Sequence, residues 1–182
     1  MPDAIQEVDE QDKPTGRVLP RSEVCDGTSM VLHRCVAVYV FDAQGRVYIQ
    51  SHKKSGRFDH SVGGHVDAGE NYAIAAKRET EEELGISGVP FHEVGTHLVS
   101  NEGARRHMFG VYECYPPKDW QFTPNDEVEE ITPMNLADVV KLVNAHPERF
   151  TGGFINVFKF YIKQKALPYR VSATVDATPL AS

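Results

Sequence analysis

The sequence predicts an α/β sandwich, because strands alternate with a few helices in a mixed hairpin-and-crossover order. Val31 to Phe41 is dense in β-branched and aromatic residues and reads as a central strand. Tyr72–Leu84 is rich in Ala, Glu, Lys and Arg, with Asn71 as N-cap and Gly85 as stop, and reads as a helix. A chain of 182 residues, 41% hydrophobic and 25% charged, suffices for one soluble domain with a real core.

The elements follow in order. Glu10 to Gly16 is polar, carries Pro and Gly, and reads as a turn between short strands at Ile5–Asp9 and Arg17–Leu19. Arg21 to Val24 reads as one helical turn. Asp42 to Gly45 closes the central strand, and Arg46–Ser51 returns as its hairpin partner. His52 to Asp59 is a polar, basic loop, and Ser61–Val66 is a short extended segment with a Gly pair. Ala73, Ala76, Thr80 and Leu84 form the inward stripe of the helix at helical spacing. Phe91–Ser100 and Arg106–Tyr115 read as strands around an Asn101-Glu102-Gly103 turn, and Glu127–Thr132 as a further short strand. Asn135 caps a helix to about Asn144, and a last helix runs from Thr151 or the following glycines to about Lys165.

A formal net charge of −7 argues against a nonspecific nucleic-acid binder, which needs a basic face. It leaves open a small phosphorylated substrate, since a bound metal reverses the local field. The three cysteines, Cys25, Cys35 and Cys114, include no pair at C-x-x-C spacing, so a reduced, cytoplasmic protein is expected. Cys35 and Cys114 sit in apolar alternating runs and read as core. The N-terminus lacks a signal-peptide pattern, and the longest apolar run, Cys35 to Phe41, is too short for a membrane span.

Glu79, Glu82 and Glu83 stand at i, i+3 and i+4, on one face of the helix. Carboxylates there repel by about 0.2–0.5 kcal/mol per pair, and such a run alone reads as a solvated acidic face. Glu81 points away and fits that description. The preceding loop changes the reading, because Gly63-Gly64 lets the backbone approach a ligand and Glu70 adds a carboxylate. Oxygen ligands on a rigid helix suit magnesium or manganese. Such ions bridge phosphate oxygens and acidify a bound water, the chemistry of water attack on a phosphoanhydride.

From Gly64 to Ile86 the sequence, GHVDAGENYAIAAKRETEEELGI, resembles the Nudix box, G-x5-E-x7-R-E-U-x-E-E-x-G-U, where U is bulky and apolar. Gly64, Glu70, Arg78, Glu79, Glu82, Glu83, Gly85 and Ile86 fit; Thr80 departs at a U position, where its methyl can still pack. The resemblance implies a Nudix-type α/β/α sandwich with a mixed β-sheet. It implies a domain over residues 31–166, flanked by a strand-and-turn extension at 1–30 and a tail at 167–182. It also implies a pyrophosphohydrolase using Mg2+, or Mn2+, with Glu79, Glu82, Glu83 and the Gly64 carbonyl as metal ligands. Arg78 would orient the box carboxylates and Glu70 would support the loop. The general base is open among Glu82, Glu83 and the later Glu127, Glu129 and Glu130.

The wider chain, with EVDEQDKPTGRVLPRSEV, LHRCVAVYVFDAQGRVYIQ and FDHSVGGHVDAGE, resembles the Nudix branch related to isopentenyl diphosphate isomerase. The isomerases carry Cys immediately before the box glycine, where this chain has Gly63, and their later metal-binding glutamates fall near Arg105 and His107. His33 and His65 fit histidine positions of the isomerase metal site and read here as scaffold or pocket residues. An isomerase and a non-catalytic diphosphate binder are the rival functions, and the intact glutamate set disfavours the binder. Lys53, Lys54, Arg57, Arg105 and Arg106 are candidates to bind substrate phosphates or are plain exposed charges. Phe58, Tyr72, Trp120 and Phe122 are candidates to stack on a base or are packing. The expected partner is a small diphosphate-containing molecule, with no nucleic-acid polymer and no membrane, and a homodimer is the expected assembly.

Overall fold

The structure, a computed structural model, describes residues 4–25, 29–51, 55–100 and 106–171. Its chain order begins β1 (Ala4–Val8), β2 (Pro14–Pro20), α1 (Arg21–Val24), β3 (His33–Val40) and β4 (Val47–Ser51). It continues β5 (Phe58–Asp59), β6 (Val62–His65), α2 (Tyr72–Leu84), β7 (Phe91–Val99) and β8 (His107–Cys114). It ends β9 (Ile131–Met134), α3 (Leu136–Ala145) and α4 (Gly152–Gln164).

Alternation along β3 serves two cores at once. Cys35, Ala37 and Tyr39 pack with Val139 and Val143 of α3 and Phe154, Phe158 and Tyr161 of α4. Val36, Val38 and Val40 pack with Val62 and with Ala75, Ala76 and Leu84 of α2. Helices therefore cover both faces of the sheet, giving the expected α/β/α sandwich. The sheet is mixed: β8 runs parallel to β3, while β6 and β7 pair antiparallel with β3 and β8. The β1–β2 hairpin joins the same edge of β3 that β6 occupies, through the Glu7–His33 pair.

The expected β3–β4 hairpin does not form a ladder. A single bridge, Phe41 to Val47, links the two segments, and β4 instead joins a second sheet in the order β5-β4-β9. The reason is that β8 takes one edge of β3 and β6 most of the other. Asp42 turns the chain away: its carboxylate accepts from the Gln44 and Arg46 N–H groups and pairs with the Arg46 guanidinium. β9 also starts later than expected, at Ile131. The Asn125 carbonyl oxygen accepts from the N–H groups of Glu127 and Val128, which holds the preceding residues in a turn.

α2 has the expected bounds. Asn71 accepts from the Ile74 N–H at 2.9 Å, and Gly85, at φ 65°, donates to the Glu81 carbonyl in the left-handed conformation that ends the helix. Its inward stripe differs from the expected one. Ala73 is exposed, and Ala75, Ala76, Glu79, Thr80, Glu83 and Leu84 are buried. The buried side of the box helix thus contains two of its carboxylates. Thr80, fully buried, satisfies its hydroxyl on the Ala76 carbonyl at 2.6 Å, so the polar atom at this apolar position is not left without a partner.

Candidate active site

β6 and α2 build the site between them. Gly64 pairs with Val36 of β3, on the sheet face that α2 covers, and a Cβ at Gly64 would run into the Glu79 carboxylate. The missing side chain is what lets Glu79 lie against the strand. Glu79 and Glu83 are only 7% and 8% exposed, whereas the Glu82 side chain is 49% exposed. Three carboxylates of one helical face thus meet two environments.

Each carboxylate has a defined partner. Arg78 is the hub: its guanidinium donates to Glu70 through Nε and Nη2, to Glu79 and Glu82 through Nη1, and to the His65 carbonyl through Nη2, all at 2.9–3.1 Å. Glu83 accepts from the Gln50 side chain at 2.8 Å and from the Gly63 N–H. Glu70 also accepts from the Asp67 N–H, tying the loop to the helix. The Arg78 hydrogen bonds hold the Glu70 carboxyl below its ordinary range despite partial burial. Burial raises Glu79, outweighing the pull of Arg78. Burial pushes Glu83 further, up to about 8, with Glu79 and Glu127 adding like-charge repulsion. An oxygen-rich, like-charged and largely desolvated group of this kind is a place for a cation.

An open cleft of 330 Å³ borders this group. Gln50, Asp59, His60, Gly63, Gly64 and Glu83 line one part of it, and Cys35, His65, His107 and Phe109 another. Of the later glutamates only Glu127 reaches the cleft wall; Glu129 and Glu130 are not among its lining residues. Arg57 does not line it either, and Arg106 is ion-paired to Glu10. Lys53, Lys54 and Arg105 lie outside the described residues.

The four candidate stacking aromatics are engaged elsewhere. Tyr72 packs on Gly110 and donates to Asp12. Trp120 donates to the Leu84 carbonyl and meets Tyr48 edge-on, while Phe122 packs against the α2-side core. Phe58 stacks with Phe150 beneath the Arg149 guanidinium. Cys35, His60, His107 and Phe109, which do line the cleft, come together through strand register between segments distant in sequence. The alternation of β3 and β8 was the one sequence signal for the shared face of Cys35 and Phe109.

Comparison with known proteins agrees with this geometry. The NUDIX domain model matches residues 31–151. A Nudix hydrolase of Yersinia pestis is 32% identical over 136 residues, spanning 71% of this chain and 71% of its own. A crystal structure of a Deinococcus radiodurans protein superposes with a TM-score of 0.69 at 20% identity, covering 88% of this chain and 97% of that one. A Caenorhabditis elegans Ap4A hydrolase superposes at 0.51 and 20% identity, covering 72% and 96%. With its box helix set against a mixed sheet and the family model spanning most of its length, the chain belongs to the Nudix hydrolase family of enzymes.

Proposed function

We propose that the chain hydrolyses a phosphoanhydride bond in a small diphosphate-containing molecule, a nucleoside diphosphate derivative. Mg2+ or Mn2+ would be held by Glu79, Glu82, Glu83 and the Gly64 carbonyl. The observation that carries this reading is the seating of Glu79 and Glu83 against Gly63-Gly64, with Glu83 lining the cleft. The donor set is all oxygen, which suits a hard cation, and the Gly64 cradle keeps the carboxylate and the backbone carbonyl close together. When bound, the cation supplies charge neutralisation at phosphate oxygens and acidifies a water.

The chain's own residues do the rest. Gln50 and the Gly63 N–H hold one Glu83 oxygen set, and Arg78 fixes Glu79 and Glu82 from the opposite side. Glu127, on the loop before β9, is positioned to take the proton from the attacking water. The water oxygen bonds to phosphorus, the bridging P–O bond breaks, and each fragment leaves with a terminal phosphate. The name of the Ap4A hydrolase neighbour supports a phosphoanhydride substrate. An isomerase reading lacks its cysteine, since Gly63 stands there and donates to Glu83. All three cysteines are free, which suits a reducing cytoplasm.

A release assay over nucleoside diphosphate sugars, dinucleotides, nucleoside triphosphates and coenzyme A, with and without Mg2+, tests the reading. Cation-dependent cleavage of at least one class is expected. Conversion of isopentenyl to dimethylallyl diphosphate, with no hydrolysis of the panel, would overturn it. Gly64→Ala is expected to push the Glu79 carboxylate aside, lowering kcat on that substrate roughly tenfold or more. Thermal denaturation should show only a shift of a few degrees, because the group displaced is a flexible side-chain end.

Burial also sets a pH dependence. Glu83 is held at about 8 in the fold against an ordinary 4.5. Between those values the folded chain keeps a proton that the unfolded chain has lost. Metal-free stability therefore falls as pH rises from about 4.5 through about 8. Mg2+ should raise the Tm more at pH 8 than at pH 5, measured by thermal unfolding in chelator and in excess Mg2+. An equal rise at both pH values would contradict this.

A further inference from the structure

We propose that His33, Cys35, His65 and His107 form a second, separate cation site that takes zinc in a closed tetrahedral set. The backbone brings them together. Residues 33 and 35 are alternate positions of β3 and share one sheet face. The parallel register sets His107 of β8 beside His33, and the antiparallel register sets His65 of β6 beside Cys35. The four side chains therefore occupy a two-by-two patch on the face opposite the Gly64–Glu79 contact. Each offers a ligand atom, and all four atoms lie within 4.8 Å of one another. Zinc bonds of about 2.0–2.3 Å place tetrahedral ligands roughly 3.3–3.8 Å apart, so modest side-chain rotations close the set.

Orientation and chemistry agree. The His33 Nδ1–H donates to the Val31 carbonyl at 2.8 Å, which puts the ring's lone pair on Nε2. His33 stacks on His65 with ring centres 5.2 Å apart and meets His107 edge-on at 4.7 Å. Nearly parallel imidazoles at that distance are better suited as neutral ligands than as a pair of cations. Three imidazoles and a thiol select a borderline-soft ion, whereas the all-oxygen group on α2 selects a hard one. Four protein ligands fill the zinc shell, which makes the site structural: it ties β6 and β8 to β3 at the cleft wall. Cys35 would lose its thiol proton to solvent on binding. Neither the ligands nor the site depends on the proposed hydrolysis.

The test uses the full chain, stripped by chelator and titrated with Co2+ as a spectroscopic zinc probe, then with Zn2+ in competition. Expected are one Co2+ per chain, tetrahedral visible bands and a near-ultraviolet thiolate charge-transfer band, all displaced by Zn2+. Cys35→Ser should lose the charge-transfer band. His107→Gln, at a half-buried position that tolerates change, should weaken binding roughly tenfold or more. Cys25, whose Sγ lies 3.3 Å from His65 Nε2, is the control, and Cys25→Ser should keep the band. Glu83→Gln should bind Co2+ as the wild type does, which separates this site from the box carboxylates. Folded wild-type chain without the charge-transfer band, a band lost only in Cys25→Ser, or unchanged affinity in His107→Gln would overturn the proposal.

Discussion

Glu83→Gln is expected to lower turnover by roughly 10²–10³-fold while leaving the fold intact. A bound cation is worth several kcal/mol of transition-state stabilisation, and about 1.4 kcal/mol is a factor of ten in rate. Glutamine keeps the shape and still offers an acceptor to Gln50 and the Gly63 N–H. It removes the charge that burial opposes. The same substitution should therefore raise the Tm of the chelated protein at pH 8, where wild-type Glu83 ionises at a cost. Loss of activity with gain of metal-free stability is the signature of a carboxylate kept for function. A variant that loses both would mark Glu83 as a structural residue.

Arg78→Met should have the second largest effect. Arg78 serves Glu70, Glu79, Glu82 and the His65 carbonyl from one planar fork. Without it, the buried Glu79 carboxylate faces Glu82 with no guanidinium between them. Stability should fall by ~2 kcal/mol, less than for a fully buried pair because the Arg78 side chain is 26% exposed. Activity should fall roughly 10–100-fold, as for other groups that orient metal ligands. Arg78→Lys should recover little of either, since a single ammonium cannot reach several carboxylates with fixed geometry. Chemical denaturation and kcat/KM measured in saturating Mg2+ separate the two effects.

The box helix was legible because its determinants are local. Asn71, Gly85 and the carboxylate spacing all act within a few turns of one another, and the structure places both caps where the sequence predicts. The inward stripe was less legible. Apolarity singled out Ala73, but the helix turns Glu79 and Glu83 inward because Gly64 and Gln50 receive them. The supposed β3–β4 hairpin followed adjacency in sequence, and β8 and β6 win the edges of β3 instead. Long-range register also hid the four-residue His and Cys group, whose members lie on three strands. The aromatic residues proximal to the box in sequence drew attention as stacking platforms. In the fold their polar atoms and faces are taken up by Asp12, Leu84, Tyr48 and Arg149.

The central claim is that the α2 carboxylates hold a divalent cation. Titration of the chain with Mn2+, read by the electron paramagnetic resonance signal of the free ion, tests it most directly. The wild type should suppress the free-ion signal to a defined stoichiometry, and Glu83→Gln should bind at least tenfold more weakly. Equal Mn2+ binding by the two folded proteins would contradict the account.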